Sequence, residues 1–258
     1  MKKIEKIFNI KDKVVVITGA SGYLFNSVAN NLLQNGCKVA YLDKDISKTK
    51  LYLSKNSRFK SRAIALEIDV TKKKEFSKCL EIIEKKLGTV DTLINGAGIN
   101  APTDFFNISE DEWDAIMSVH LKGTLFGCQV FGKDMVKRKS GSIINISSAS
   151  SGPPLSKAYT YSVAKAGIKN LSQNIAREWG DKGVRVNSIK PGFFPTNWSK
   201  KHFITKKREK AILAHTPMKR YGDPEELFGA IVWLISDAST FVTGSEVAID
   251  GGFSCMTI

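Results

Sequence analysis

The chain has 258 residues, a formal net charge of +14, and 42% hydrophobic and 25% charged residues, the balance of an ordinary globular protein. No apolar run reaches the roughly 18 residues of a membrane span, and the Lys-rich stretch Met1 to Lys11 lacks the apolar core of a secretory signal. Cys37, Cys79, Cys128 and Cys255 lie far apart without a Cys-x-x-Cys pair, which speaks against zinc or disulfide frameworks and for a reducing cytoplasm.

In chain order, Lys13 to Thr18 is a β-branched run that ends at Gly19, and Leu24 to Gln34 has apolar residues at helical spacing before the stop signal Asn35-Gly36. Lys38 to Leu42 follows as a second strand closed by Asp43, completing a βαβ unit. The alternation continues through strand Ala63 to Val70, helix Lys72 to Leu87, strand Thr89 to Ile94 and helix Glu110 to Lys139. Strand Ser142 to Ser147, helix Tyr161 to Gly180, strand Val184 to Ile189 and a final helix and strand within Pro224 to Val247 close the chain. Regular alternation without a linker predicts one α/β domain over residues 1–258, a Rossmann-type, doubly wound parallel sheet with helices on both faces. Ligands of such sheets bind beyond the carboxyl ends of the strands.

Thr18-Gly19-Ala20-Ser21-Gly22-Tyr23-Leu24 is a glycine-containing turn between strand and helix, where free N–H groups and the helix dipole can hold a pyrophosphate. Two glycines are as often merely a turn; the strand-turn-helix context and Asp43 at the end of the next strand make the pattern specific. A carboxylate there can accept the adenosine ribose hydroxyls and repels a 2′-phosphate, which favours NAD, while the adjacent Lys44 leaves NADP open. On a helix, Tyr161 and Lys165 at i and i+4 share one face, and Ser148 stands just past the preceding strand. By itself a Tyr-x-x-x-Lys pair usually means surface packing. Tyr159 has no Lys four residues on.

These motifs together resemble the short-chain dehydrogenase/reductase family, over essentially the whole chain. The resemblance implies a nicotinamide-dependent oxidoreductase acting on a carbonyl or secondary alcohol, with Tyr161 as acid/base, Lys165 lowering its pKa and holding the nicotinamide ribose, and Ser148 beside the substrate oxygen. It also implies an adenine contact at Asp69-Val70 and a cofactor segment at Asn95, Ala97 and Gly98, with Gly96 in place of a second Asn. The nicotinamide side would comprise Asn187, Pro191, Gly192, Phe194 and Thr196. Two departures stand out. Phe25 replaces the last glycine of the cofactor turn, which implies a shifted first helix or an altered cofactor pose. His120 occupies the position of a proton-relay Asn, where an ordinary imidazole would make the relay sensitive to pH; a packed helix histidine is the alternative.

The resemblance also implies a substrate lid at about residues 193–217. Although lysines are otherwise spread along the chain, which speaks against a nucleic-acid partner, this stretch concentrates Lys200, Lys201, His202, Lys206, Lys207, Arg208 and Lys210. Pro191 to Thr196 and Ala214 to Met218 resemble the subgroup acting on sugar acids such as mannonate and fructuronate. The leading expectation is therefore a small anionic sugar or sugar-acid substrate, no metal, and a homotetramer or homodimer. A 3-oxoacyl carrier-protein reductase and a catalytically impaired binding or scaffold protein are the alternatives, the latter resting on Phe25 and His120.

Overall fold

The computed structural model describes residues 3–152 and 155–256. After a single helical turn, α1 (Ile4–Ile7), the chain enters β1 (Val14–Thr18), α2 (Tyr23–Gln34), β2 (Lys38–Asp43), α3 (Ser47–Lys55), β3 (Ala63–Glu67), α4 (Lys73–Leu87) and β4 (Thr92–Asn95). The second half comprises α5 (Glu110–Met117), α6 (Gly123–Lys137), β5 (Gly141–Ile146), α7 (Tyr159–Trp179), β6 (Val184–Pro191), α8 (Asn197–His202), α9 (Lys206–His215), α10 (Phe228–Ile235) and β7 (Glu246–Ile249). All seven strands are parallel, in the order β3-β2-β1-β4-β5-β6-β7. This is the doubly wound Rossmann-type arrangement, with the strand order reversing between β1 and β4.

The central strands are apolar on both faces because helices cover both. On one face Val15, Ile17, Val39, Ile94 and Ile144 pack with Val28, Leu32 and Leu33 of α2 and Ile231 and Leu234 of α10. On the other, Val14, Val16, Leu93 and Ile143 pack with Phe76 and Ile83 of α4 and Phe131 and Met135 of α6. Such two-sided burial turns a strand into a continuous β-branched run instead of an alternating one. No helix among the described residues is long and apolar enough to cross a membrane.

Four local differences from the sequence expectation have physical causes. Helix α3 was not expected; it is polar, burying Thr49 alone, so periodicity could not reveal it. β4 begins at Thr92 rather than Thr89, since the preceding Asp91 uses its carboxylate to accept the Val14 amide at 2.8 Å. The single helix expected over 110–139 is interrupted by a π-helical turn at Ser118–Lys122. The 193–217 segment is largely helical, and Thr196 and Thr205 cap α8 and α9 with their hydroxyls.

Phe25 and Gly96, two departures in sequences far apart, meet in space. The Phe25 ring is buried within the core on the α2 face. A Cβ built on Gly96 would lie 2.7 Å from its Cδ2. The glycine after β4 thus makes the room that the aromatic ring at the start of α2 requires, and α2 keeps its first-turn bond from Asn26 N to Gly22 O at 2.8 Å. We predict that Gly96→Ala lowers stability by about 1–3 kcal/mol through overpacking, and Phe25→Ala by about 3–5 kcal/mol through a cavity. In chemical denaturation the double substitution should cost clearly less than the two single losses combined; simple additivity would mean that the contact is not the source of either loss.

Candidate active site

The carboxyl ends of β1, β2 and β4 border a cleft of about 730 Å³ lined by Gly19, Ser21, Gly22, Tyr23, Leu24, Asp43, Asp69, Val70, Ala97, Gly98 and Thr196. Its floor requires glycine: Gly19 has φ +72°, and a Cβ there would stand 2.8 Å from the Ala97 backbone. Thr18 fixes the same corner by accepting the amides of Gly96 and Ala97 at 3.1 and 3.2 Å. α2 starts at Tyr23 with Gly22 as its N-cap and no side-chain hydrogen bond capping it, leaving first-turn amides to an incoming anion. Asp43 accepts the Ser21 amide at 2.8 Å, which holds the turn against the end of β2. Asp69 is braced by Thr71 at 2.7 Å, and this bond is the main reason its carboxyl lies below the usual range. A narrow cradle, an uncapped helix end and an acidic rim fit a dinucleotide.

Sharing Leu24, Phe25, Gly96, Gly98 and Ile99 with that cleft is a second cavity of about 370 Å³, which contains Ser148, Tyr161, Lys165, His120, Pro191, Gly192 and Phe194. Strand β5 delivers Ser148, whose Oγ accepts Ser150 N at 3.2 Å. Helix α7 delivers Tyr161 and Lys165. The Lys165 ammonium is buried, donates to Ile146 O at 2.6 Å and lies 5.5 Å from the centroid of the Tyr161 ring. Desolvation pushes its pKa down to about 7. Burial likewise raises the Tyr161 pKa, opposed by a hydrogen bond with Ser148. The ammonium is turned to a backbone carbonyl, and burial of the phenol outweighs the Ser148 bond.

His120 sits on the π-helical turn, 2% exposed, with its ring perpendicular to Tyr161 at 5.1 Å between centroids. Its Nε2 lies 2.6 Å from Ile99 O and 3.0 Å from Ile99 N, tying the helix to the segment after β4, while Nδ1 is buried without a partner. Burial, with the nearby Lys165 charge, pushes its pKa down to about 3. The imidazole is thus neutral across the physiological range, which corrects the expectation of a relay titrating near neutrality.

Asn187 is fully buried in β6 and bridges to the turn before β7, donating to Val242 O at 2.9 Å and accepting Ser245 N at 3.0 Å, which makes it a strut between the two strands. Thr196 lines the cofactor cleft while its hydroxyl caps α8, accepting Ser199 N at 3.0 Å. The sequence reading also missed Glu246, 9% exposed in its side chain, which pairs with Lys169 at 3.2 Å and Lys190 at 3.4 Å and accepts Ser151 Oγ at 3.2 Å. It fastens the turn after Ser148 to α7 and β6, and nothing local in the β7 sequence announces it. Asn95 and Asn145 form a buried bond at 2.8 Å that continues from Asn145 to Ser172 at 2.9 Å, joining β4, β5 and α7 beneath the site.

A family profile described as enoyl-(acyl carrier protein) reductase matches residues 26–254. The chain is 38% identical to an uncharacterised oxidoreductase, UxuB, of Bacillus subtilis strain 168, covering 95% of this chain and 96% of that protein. Among solved structures, a candidate D-mannonate oxidoreductase of Haemophilus influenzae with bound NAD superposes with a TM-score of 0.87 at 33% identity, covering 99% of each chain. A gluconate 5-dehydrogenase of Burkholderia cenocepacia in complex with NADP and tartrate superposes with a TM-score of 0.92 at 25% identity, covering 99% of this chain and 100% of that one. With the sheet, the turn after β1 and the Ser148, Tyr161 and Lys165 cluster in place, the chain belongs to the short-chain dehydrogenase/reductase family and is an oxidoreductase acting on CH–OH groups.

Proposed function

We propose that this enzyme interconverts a carbonyl and a secondary alcohol on a small anionic sugar or sugar acid, with NAD as the preferred dinucleotide. The observation that carries the reading is the gathering of Ser148, Tyr161 and Lys165 in one cavity that shares a wall with the cleft at the carboxyl ends of β1, β2 and β4. Gly19, Ser21, Gly22, Tyr23 and Leu24 would hold the pyrophosphate, Asp43 the adenosine ribose, Asp69 and Val70 the adenine, and Ala97 and Gly98 the adjoining ribose wall, with Asn95 bracing that wall from beneath through its bond to Asn145. Pro191, Gly192, Phe194 and Thr196 would border the nicotinamide. A dinucleotide held there supplies or accepts the hydride.

The side chains manage the proton. In the reducing direction the Tyr161 hydroxyl gives its proton to the substrate oxygen, and in the oxidising direction the phenolate takes it back. Ser148 donates to that oxygen and fixes its position. Lys165, titrating near 7, carries charge where it can stabilise the phenolate. His120 is a positioning residue that holds the helix and the Ile99 segment together beside Tyr161. Support for an anionic substrate comes from the basic 193–217 lid and from the relatives described as acting on sugar acids, one of them bound to tartrate, a dicarboxylate. The same reading takes residues 1–258 as one catalytic unit, in the cytoplasm, assembled as a homotetramer or homodimer; four free cysteines and the exposed apolar side chains Phe106, Trp113 and Val163 are its support.

Tyr161→Phe is expected to lower kcat by about 10²–10⁴-fold while NADH affinity stays within a few-fold; unchanged turnover in a sugar and sugar-acid screen would refute the acid/base role. Titration followed by nicotinamide fluorescence should show NADH binding more tightly than NADPH, and Asp43→Ala should shrink that gap. Equal affinities in the parent enzyme contradict the Asp43 reading. For His120, the ordinary value is 6.5 and the folded value about 3, so unfolding takes up a proton across that window. Stability is full above the ordinary value and falls as pH drops towards the folded one. Urea unfolding should thus be less acid-sensitive in His120→Asn than in the parent. The kcat profile from mildly acidic to mildly alkaline pH should keep its inflection in that variant; loss of an inflection would make His120 a titrating relay after all.

A further inference from the structure

The basic residues of the lid are not equivalent. Lys200, Lys201, His202, Lys206, Lys207 and Lys210 are exposed, whereas Arg208 is partly buried and lines the cavity of Ser148 and Tyr161. It stands in the first turn of α9, on the side facing the segment between β5 and α7, where its Nη2 donates to Ser156 O at 2.8 Å. Around it the cavity wall is mainly apolar, with Leu155, Phe193, Pro195, Phe203 and Ile204. Burial pulls the guanidinium below its ordinary pKa, though it stays charged.

We infer that Arg208 is the specificity-determining residue for the substrate, pairing with a carboxylate at the end of the sugar chain remote from the reacting carbon. This rests on the proposed reaction and goes beyond it by assigning the anion to one side chain. A guanidinium presents five donors in a planar fork matched to a carboxylate, and the Ser156 bond engages one of its nitrogens, fixing the fork's position. Where the guanidinium lines the cavity it is partly screened from water, so a neutral sugar that displaces its remaining water without replacing the hydrogen bonds is disfavoured. Exposed lysines a few residues away are screened and select little. Arg208 also ties α9 to the Ser148–Tyr161 connection.

The test is calorimetric titration of the NADH-loaded enzyme, a complex in which a polyhydroxy acid cannot react. The ligands are D-gluconate and D-mannonate, their neutral counterparts D-glucitol and D-mannitol, and D-glucitol 6-phosphate. The acids should bind about tenfold or more tightly than the alditols, the scale of one charge-assisted hydrogen bond. Arg208→Met should remove that gap with alditol and NADH affinities unchanged, and Arg208→Lys should restore part of it. No preference for the acids in the parent enzyme, or a gap that survives Arg208→Met, overturns the assignment; a phosphate ester bound more tightly than either acid overturns the choice of carboxylate. Lys206→Met and Lys207→Met serve as charge controls, and an equal loss in them would make the effect one of general field. The proposed reaction fails separately, if the parent enzyme with NADH or NADPH turns over no sugar or sugar acid, and the binding comparison still decides Arg208 in that case.

Discussion

A buried lysine organises the active end of this molecule. Lys165 reaches from the first turns of α7 under the end of β5 and donates a hydrogen bond to Ile146 O, in surroundings whose desolvation pushes its pKa down to about 7. Removing a cation from water is costly, and the arrangement persists because the packing around it is overdetermined. The Asn95–Asn145–Ser172 chain locks α7 to the sheet from below, and Glu246 locks the Ser148 turn to α7 from the side. With the helix so fixed, Tyr161 one turn earlier has a single place to go, against Ser148 and the edge of His120. The cost of burying Lys165 leaves an amine that titrates near 7 within 5.5 Å of the Tyr161 ring centroid.

The cofactor cleft depends on small residues in a different way. Gly19 lets the turn after β1 press on Ala97, and Gly96 lets α2 keep a bulky Phe25 at a position where the family has glycine. The two departures offset each other, so Phe25 is no sign of a defective turn. The neutral His120 is similar. It makes two backbone contacts with Ile99 across the gap between the helix and the segment after β4, and a π-helical turn sets it there. Neither residue lends weight to a scaffold protein that has lost its chemistry.

Charge at the substrate end is distributed by geometry more than by amount. α9 has one face to water and one to the cavity, and of the run Lys206-Lys207-Arg208 the helical rotation turns the arginine inward. Five exposed lysines, at 200, 201, 206, 207 and 210, surround one partly buried guanidinium that lines the cavity.

The sequence by itself determined the sheet, the turn after β1, the acidic end of β2 and the Ser148, Tyr161 and Lys165 set, because each follows from short-range signals: β-branched runs, glycines that alone tolerate a left-handed turn, and residues one helical turn apart. It carried the family through the joint presence of these motifs. It missed α3, whose polar surface has no periodicity to read, and it read 110–139 as one helix because a π-helical turn changes hydrogen bonding without changing composition. Tertiary structure alone decided that Phe25 faces Gly96, that Glu246 braces the Ser148 turn, that Asn187 is a strut, that His120 is neutral, and that Arg208 faces inward. Each of these depends on which distant segments meet and on how far water is excluded between them, and the order of residues in the chain carries no local mark of either.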